Sequence, residues 1–207
     1  MITEGGNGSQ PPALGVILGS TRPGRVGLPV GQWVAEHAAR TGEFAVEVID
    51  LAVIDLPMLD EPGLPAAGHY TKTHTKQFSE LISRMDAFVL VMPEYNHGYT
   101  APVKNALDYL NHEWGDKPIG LVSYGGVAGG VRAVHALKPV LEALRLIPVF
   151  EGVIIPFAST FIEGDGEERR FVPNGVISAS ADAMLAAIAA RIARSRVTTA
   201  RQTRGAA

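Results

Sequence analysis

A glycine-punctuated stretch near the N-terminus carries residue types that bind phosphate. It runs from an apolar segment through Gly19-Ser-Thr-Arg-Pro-Gly-Arg25 into an amphipathic segment. Backbone N–H groups at a helix start attract anions, and hydroxyl and guanidinium groups add hydrogen bonds to phosphate oxygens. Ser20 and Thr21 offer the hydroxyls and Arg22 and Arg25 the guanidinium groups, and the backbone of Val26 and Gly27 follows at the predicted helix start. The pattern predicts a phosphate site, and the alternative is a plain strand-to-helix turn with solvated arginines.

Two standard glycine signatures do not fit this stretch. Gly24 is followed by Arg25 and Val26 where a triphosphate-binding loop needs Lys and Ser or Thr. The glycine fingerprint of dinucleotide-binding folds is absent as well, so Asp50 at the end of the next apolar run is a weak candidate for a ribose ligand. The remaining prediction is a site for a single phosphomonoester.

A second polar stretch follows a nearly uniform apolar run. Its core is Pro93-Glu-Tyr-Asn96, followed by His97, Gly98 and Tyr99. Tyrosine rings offer flat faces, and carboxylate and amide groups offer hydrogen bonds, a combination that suits a heteroaromatic ligand. The alternative is a structured turn whose Glu94 and Asn96 cap the helix behind it.

A third stretch, Ser123-Tyr-Gly-Gly-Val-Ala-Gly-Gly130, also follows an apolar run. Glycines allow a backbone to approach a flat ligand closely. The residues nearest the end of the preceding strand are Ser123, Tyr124, Gly125 and Gly126. Three such stretches at strand ends predict one shared site, since ligands bind beyond the carboxyl ends of parallel strands.

The elements that must position these stretches alternate between apolar and amphipathic. Strands are predicted at 13–18, 44–49, 87–92, 119–123 and 148–155, and helices at 26–39, 71–83, after Thr100, after Gly130 and at 178–196. This order predicts an α/β fold, a three-layer doubly wound five-stranded parallel sheet of flavodoxin-like strand order 2-1-3-4-5. Thr100 is the predicted N-cap of its helix. Residues 157–174 form a polar excursion without a predicted element.

Composition limits the function classes. The chain has 207 residues, 46% of them hydrophobic, which fits one domain at 13–196 with a disordered segment at 1–12 and a flexible tail at 197–207. A formal charge of −3 gives no field for nucleic acid, and zero cysteines exclude thiolate chemistry. With no leader or membrane-spanning run recognised, we expect a cytoplasmic protein without a membrane partner.

Together the three stretches resemble the NADPH-dependent FMN reductase family of flavodoxin-like quinone, chromate and azo-dye reductases. The resemblance covers roughly residues 13–150 and is most specific at Pro93–Asn96 with the trailing Lys104-Asn-Ala. The resemblance implies FMN as cofactor, with the FMN phosphate on Ser20, Arg22 and the backbone through Val26. The isoalloxazine ring of FMN would then be bordered by Pro93, Glu94, Tyr95, Asn96, Ser123, Gly125 and Gly126. The resemblance also implies a homodimer or homotetramer, with the helix after Pro93–Asn96, which has Tyr109 and Trp114 nearby, as a candidate subunit contact.

The implied reaction is a ping-pong hydride transfer. NADPH or NADH reduces the flavin, which then reduces a quinone, a flavin, an azo compound or a similar small acceptor. Because the flavin carries the chemistry, no catalytic side chain and no metal ligand is predicted. Tyr95 and His97 are candidates for protonating a reduced acceptor, and Arg132 for binding the NADPH phosphate. The alternatives are an FMN-binding, redox-responsive interaction protein and a hydrolase acting on phosphorylated substrates.

Overall fold

The computed structural model describes residues 10–205, with side chains through Arg196. A parallel sheet of order β2-β1-β3-β4-β5 forms its centre, which confirms the predicted fold class. Its strands are β1 Ala13–Leu18, β2 Ala45–Asp50, β3 Ala87–Pro93, β4 Pro118–Gly125 and β5 Ile147–Pro156. Each lies within two residues of its predicted bounds. Every residue of β3 is buried, as expected of a strand with layers on both faces.

Helices cover both faces of the sheet. They are α1 Gly27–Arg40, α2 Leu51–Ile54, α3 Thr73–Ser83, α4 Ala101–Tyr109, α5 Val131–Ala143 and α6 Gly175–Gly205. The short α2 was not predicted, and α6 is longer at both ends than the predicted helix at 178–196. The domain boundaries at 12/13 and 196/197 stay predictions. Residues 1–9, 206 and 207 lie outside the described part of the chain, as do the side chains of 197–205.

Alternating side chains of β1 divide the core into two clusters. Leu14, Val16 and Leu18 face the layer of α1 and α6, where they join Trp33. Ile17 faces the opposite layer, which contains α3, α4 and α5. Full burial of each such aliphatic side chain contributes about 1.5–3 kcal/mol, so the two clusters fix the sheet between its helices.

Helix α6 packs its apolar face on the sheet. Met184, Leu185, Ile188 and Ile192 are buried on that face. By length and composition alone, Gly175–Arg196 would suffice to cross a membrane. These four side chains belong to the part of that stretch that is buried against the sheet.

Between β5 and α6 the chain makes a small excursion over the sheet edge. It contains an antiparallel pair, β6 Ile162–Glu163 and β7 Arg170–Phe171. We refer to residues 157–174 as the β6–β7 segment. Phe171 is buried and its ring lies 5.2 Å from that of Trp33 on α1, which anchors the segment to the first helix.

Candidate functional site

The phosphate loop, residues 19–26, joins β1 to α1. It begins beside β3, where the Gly19 N–H donates to the Val91 carbonyl at 2.8 Å. Helix α1 then starts with Val26 as an N-cap that has no side-chain cap and with no acidic residue in its first turn. Within residues 10–205, the backbone N–H groups of Thr21 and Val26 have no acceptor. This end of the helix therefore presents free donors and a positive dipole end to an anion.

Arg25 shapes the loop instead of pointing freely into solvent. Its Nη1 donates to the Ser20 carbonyl at 2.8 Å, and its Nη2 forms an ion pair with Asp50. Only 11% of the Arg25 side chain is exposed. Asp50 also accepts the Ala52 N–H at 3.0 Å and so caps α2, a structural role that the sequence did not reveal. Arg22, in contrast, is exposed at the loop surface.

The Pro93–Asn96 stretch ends β3 in a tight hairpin turn. The backbone groups of Tyr95 and Gly98 exchange two hydrogen bonds of 3.0 Å. Asn96 and His97 have φ of +49° and +67°, the left-handed pair of a two-residue turn of the primed type. The turn leaves Tyr95 41% exposed, with its Oη 3.1 Å from the buried Oγ of Ser20.

Two further bonds join the hairpin to its neighbours. The Thr100 Oγ1 donates to the Gly19 carbonyl at 2.5 Å and accepts the Val103 N–H at 3.4 Å, which confirms Thr100 as the N-cap of α4. The Glu94 N–H donates to the Tyr124 carbonyl at 3.0 Å. The three stretches thus meet in one continuous surface.

Glu94 caps helix α5, whereas the sequence pattern indicated the helix directly behind the hairpin, which is α4. Its carboxylate, 7% exposed, accepts the Arg132 N–H at 3.1 Å and Nε at 2.6 Å at the start of α5. The hydrogen bond from the Arg132 guanidinium is the main cause that lowers the pKa of Glu94. The guanidinium proposed for the NADPH phosphate is therefore already engaged by Glu94.

The glycine-rich stretch is folded back on β4. Ser123 is fully buried, and its Oγ donates to the Gly129 carbonyl at 2.9 Å. Gly130 has φ of +89°, and a Cβ there would lie 2.8 Å from Ser123 Cβ. Gly126 has open space around its Cα. Ser123 therefore holds the glycine-rich stretch against β4, while the backbone at Gly126 stays accessible to a ligand.

Tyr124 packs against the start of α1. A Cβ on Gly27 would lie 2.3 Å from the Tyr124 Oη, so only glycine fits at this position. Tyr124 is 6% exposed, and burial is the main cause that raises its pKa, with the nearby Tyr95 adding to the effect. The hydroxyl therefore stays protonated at neutral pH beside the phosphate loop.

An open cleft of about 590 Å³ lies beside the phosphate loop. One wall is the loop with Arg22 and Arg25, and another is the β6–β7 segment with Glu167 and Arg169. Arg169 donates to the Gly24 and Arg25 carbonyls at 3.1 and 3.2 Å. Sequence reasoning missed this residue, because no motif links positions so far apart in the chain.

Tyr109 and Trp114, which lie near the helix expected to contact a second subunit, face the core, and the subunit contact of that helix stays a prediction. They are 0% and 1% exposed and belong to the core beneath α4. Tyr109 Oη donates to the Pro57 carbonyl at 3.1 Å, and Trp114 Nε1 to the Leu107 carbonyl at 3.2 Å. Aromatic rings beside a helix give the same sequence signal whether they face a core or a partner.

The family model for NADPH-dependent FMN reductase matches residues 12–160, and the chain belongs to this family. It is 44% identical over 149 residues to the NAD(P)H-dependent FMN reductase of Schizosaccharomyces pombe, covering 70% of this chain and 74% of that protein. An NAD(P)H-dependent FMN reductase of Saccharomyces cerevisiae is 35% identical over 144 residues, covering 64% of this chain and 75% of that one.

A solved structure agrees in fold. The flavoenzyme NAD(P)H:(acceptor) oxidoreductase of Paracoccus denitrificans superimposes with a TM-score of 0.67 at 21% identity, covering 86% of this chain and 97% of that one. At this identity the likeness shows the fold alone. Among the described residues, no group of three or more His, Asp or Glu side chains is arranged to hold a metal ion.

Proposed function

We propose that the chain is an FMN-dependent NAD(P)H oxidoreductase that reduces a quinone, a flavin, an azo compound or a similar small acceptor. The observation that carries the proposal is the link between the hairpin and the phosphate loop, in which Tyr95 Oη lies 3.1 Å from Ser20 Oγ. This link brings a flat aromatic side chain beside the loop that leads into α1, which supports one shared site for a ring and a phosphate. Membership of the FMN reductase family supports the same assignment.

The residues present fit FMN. The N–H groups of Thr21 and Val26, which have no acceptor in the described part of the chain, suit a phosphate, because an uncapped helix start stabilises negative charge. Gly24 and Gly126 have open space where a Cβ would project, so a ligand can approach both backbones closely. When bound, FMN would accept a hydride from NAD(P)H and pass electrons to the acceptor.

The side chains divide into those that contact the cofactor and those that hold the contacts in place. Ser20, Arg22 and the N–H groups of Val26 and Gly27 would bind the phosphate. Pro93, Tyr95, Asn96, Gly125 and Gly126 would border the ring. Arg25, Glu94, Ser123 and Tyr124 would hold these loops through the bonds described above. No side chain is assigned as a general acid or base, since a bound flavin supplies the reaction itself.

A ping-pong order agrees with the openness of the site. Tyr95 of the hairpin and Val127 of the glycine-rich stretch are 41% and 78% exposed, which agrees with a surface that a donor can leave before an acceptor binds. Parallel lines in double-reciprocal plots of rate against donor concentration, at several acceptor concentrations, are expected. Intersecting lines would require both ligands to be bound together. The same assays with NADPH and NADH measure the donor preference.

The decisive experiment mixes the FMN-loaded protein with NADPH under anaerobic conditions. We expect the yellow flavin absorbance to bleach and to return when a quinone is added. A bound flavin that does not bleach would favour the redox-responsive interaction protein. A protein that stays colourless with added FMN would overturn the cofactor assignment and leave the hydrolase to be tested on phosphate esters.

A matched pair of variants checks the location of the site. Ser20→Ala removes a hydroxyl that is 2% exposed within the phosphate loop, and FMN binding is expected to weaken. Ser159→Ala removes an exposed hydroxyl beyond β5 and is expected to bind FMN normally. We also propose a homodimer or homotetramer in the cytoplasm, which sedimentation and cell fractionation can test.

A further inference from the structure

A cationic side chain reaches the phosphate loop from the C-terminal part of the chain. Arg169 lies just before β7, 145 residues beyond Gly24. Its Nη1 donates to the Gly24 carbonyl at 3.1 Å and its Nη2 to the Arg25 carbonyl at 3.2 Å. The two arms of the guanidinium therefore hold two consecutive peptide groups of the loop.

Because Arg169 holds the Arg25 carbonyl, it also fixes the direction of the Val26 N–H group. The Arg25 carbonyl and the Val26 N–H belong to one planar trans peptide group, so they point in opposite directions. Within residues 10–205, the Val26 N–H has no acceptor. Arg169 therefore sets the direction of a free N–H at the start of α1 without occupying it.

The loop needs such an external support at this point. Gly24 has φ of +68°, and no atom lies within 4 Å of the position that a Cβ would take, so neither a side chain nor packing restrains it. Arg25 holds the earlier part of the loop through the Ser20 carbonyl at 2.8 Å. Arg169 supplies the corresponding support for Gly24 and Arg25 from the opposite wall.

Charge adds to this geometry. Arg22, Arg25 and Arg169 all line the cleft of about 590 Å³ beside the loop, where Glu167 is the acidic residue of the lining. Positive charge at these side chains attracts an anion toward the loop at longer range. Arg169 lies beyond residues 12–160, to which the family model matches, so it is a feature of this chain's own C-terminal part.

We infer that Arg169 is a positioning residue that makes the site prefer a phosphorylated flavin over an unphosphorylated one. It acts through the backbone of Gly24 and Arg25, which orients the Val26 N–H toward the phosphate. The β6–β7 segment thereby supports the phosphate site through Arg169. The inference rests on the proposed function, since it takes FMN as the ligand of the loop.

The test compares FMN and riboflavin binding by fluorescence titration of the full chain. Arg169→Ala is expected to weaken FMN binding by about tenfold, because the unsupported loop must then be ordered when the phosphate binds, and to leave riboflavin binding unchanged. Arg170→Ala, which removes the neighbouring exposed arginine of β7, is the matched control and is expected to change neither. Thermal melting of each variant verifies that it folds.

Amide hydrogen exchange without flavin gives a second readout. Arg169→Ala is expected to speed exchange of the Arg25 N–H, which donates to the Arg22 carbonyl at 3.1 Å, and to leave the strands of the sheet unchanged. Unchanged FMN affinity in Arg169→Ala, or an equal loss for both flavins, would overturn the role of Arg169 while leaving the proposed function intact. If the unsubstituted protein bound neither flavin, the proposed function would fail and this role with it.

Discussion

The Oγ of Ser20 and the Oη of Tyr95 lie 3.1 Å apart, although 75 residues separate them in the chain. One hydroxyl belongs to the phosphate loop and the other to the hairpin after β3. Ser20 is 2% exposed, whereas Tyr95 is 41% exposed, so the pair links a buried anchor to an accessible ring. The contact lets one loop restrain the geometry of the other.

Tyr95→Phe keeps the flat ring and removes this contact. We expect FMN binding to weaken about two- to tenfold, the range for one neutral hydrogen bond, because the Ser20 hydroxyl is no longer held. Flavin fluorescence titration measures the change. Tyr99→Phe is the matched control, since Tyr99 packs against the core on the α4 side of the sheet. Equal affinity of Tyr95→Phe and the unsubstituted protein would contradict the prediction.

A second link between the same loops concerns stability. Thr100, 1% exposed, donates to the Gly19 carbonyl and caps α4 through the Val103 N–H. Thr100→Val keeps the shape and leaves both backbone groups without their partner, so the free energy of unfolding is expected to fall by about 1–3 kcal/mol.

Chemical denaturation of the Thr100 variants provides the measurement. Thr100→Ser retains the hydroxyl and is expected to recover most of the lost stability. If the serine and valine variants were equally destabilised, the methyl group rather than the hydroxyl would be the important part of Thr100.

Glu61 gives a pH-dependent prediction outside the site. Its carboxylate accepts the N–H groups of Thr71 and Lys72, at 3.0 and 2.8 Å, before α3 begins. Burial acts to raise the pKa of Glu61, but these hydrogen bonds outweigh it and lower the pKa to about 2 from an ordinary 4.5. A depressed pKa in the folded state stabilises the protein above the ordinary pKa, and this contribution is lost as pH falls toward the folded value.

Glu61→Gln should therefore lower the Tm at pH 7, and the difference from the unsubstituted protein should close between pH 4.5 and about 2. Differential scanning calorimetry between pH 7 and about pH 2 measures this difference in Tm. Glu80→Gln, at an exposed position of α3, is the control and is expected to melt like the unsubstituted protein at pH 7. A difference that stayed constant with pH would show that ionisation of Glu61 plays no part.

The sequence predicted the sheet because its strands are uniform apolar runs, such as β3, between helices with one apolar face. It also placed three polar stretches at strand ends, which parallel topology brings together. The roles within the site were harder to predict. Nothing local distinguishes Arg25, which pairs with Asp50, from the exposed Arg22. The contact of Arg169 with Gly24 depends on packing of a segment far along the chain.

Gly27 at the start of α1 packs directly against the Tyr124 hydroxyl of β4, and a double variant can test this contact. A Cβ at Gly27 would lie 2.3 Å from Tyr124 Oη but 3.2 Å from Cζ, so the hydroxyl causes most of the conflict. Gly27→Ala is expected to lower the free energy of unfolding by about 1–3 kcal/mol, typical of overpacking in a core. FMN binding is expected to weaken as well, because the added methyl group displaces the start of α1.

Tyr124→Phe combined with Gly27→Ala removes the atom that conflicts with the new methyl group. We therefore expect the double variant to be more stable than Gly27→Ala alone, a non-additivity that chemical denaturation of both single variants and the double variant measures. Gly24→Ala is a useful comparison, since its φ of +68° costs backbone strain while no atom lies near the added Cβ. Tyr124→Phe should not rescue Gly24→Ala. Simple addition of the Gly27 and Tyr124 effects would show that the tyrosine hydroxyl does not determine the need for glycine at the start of α1.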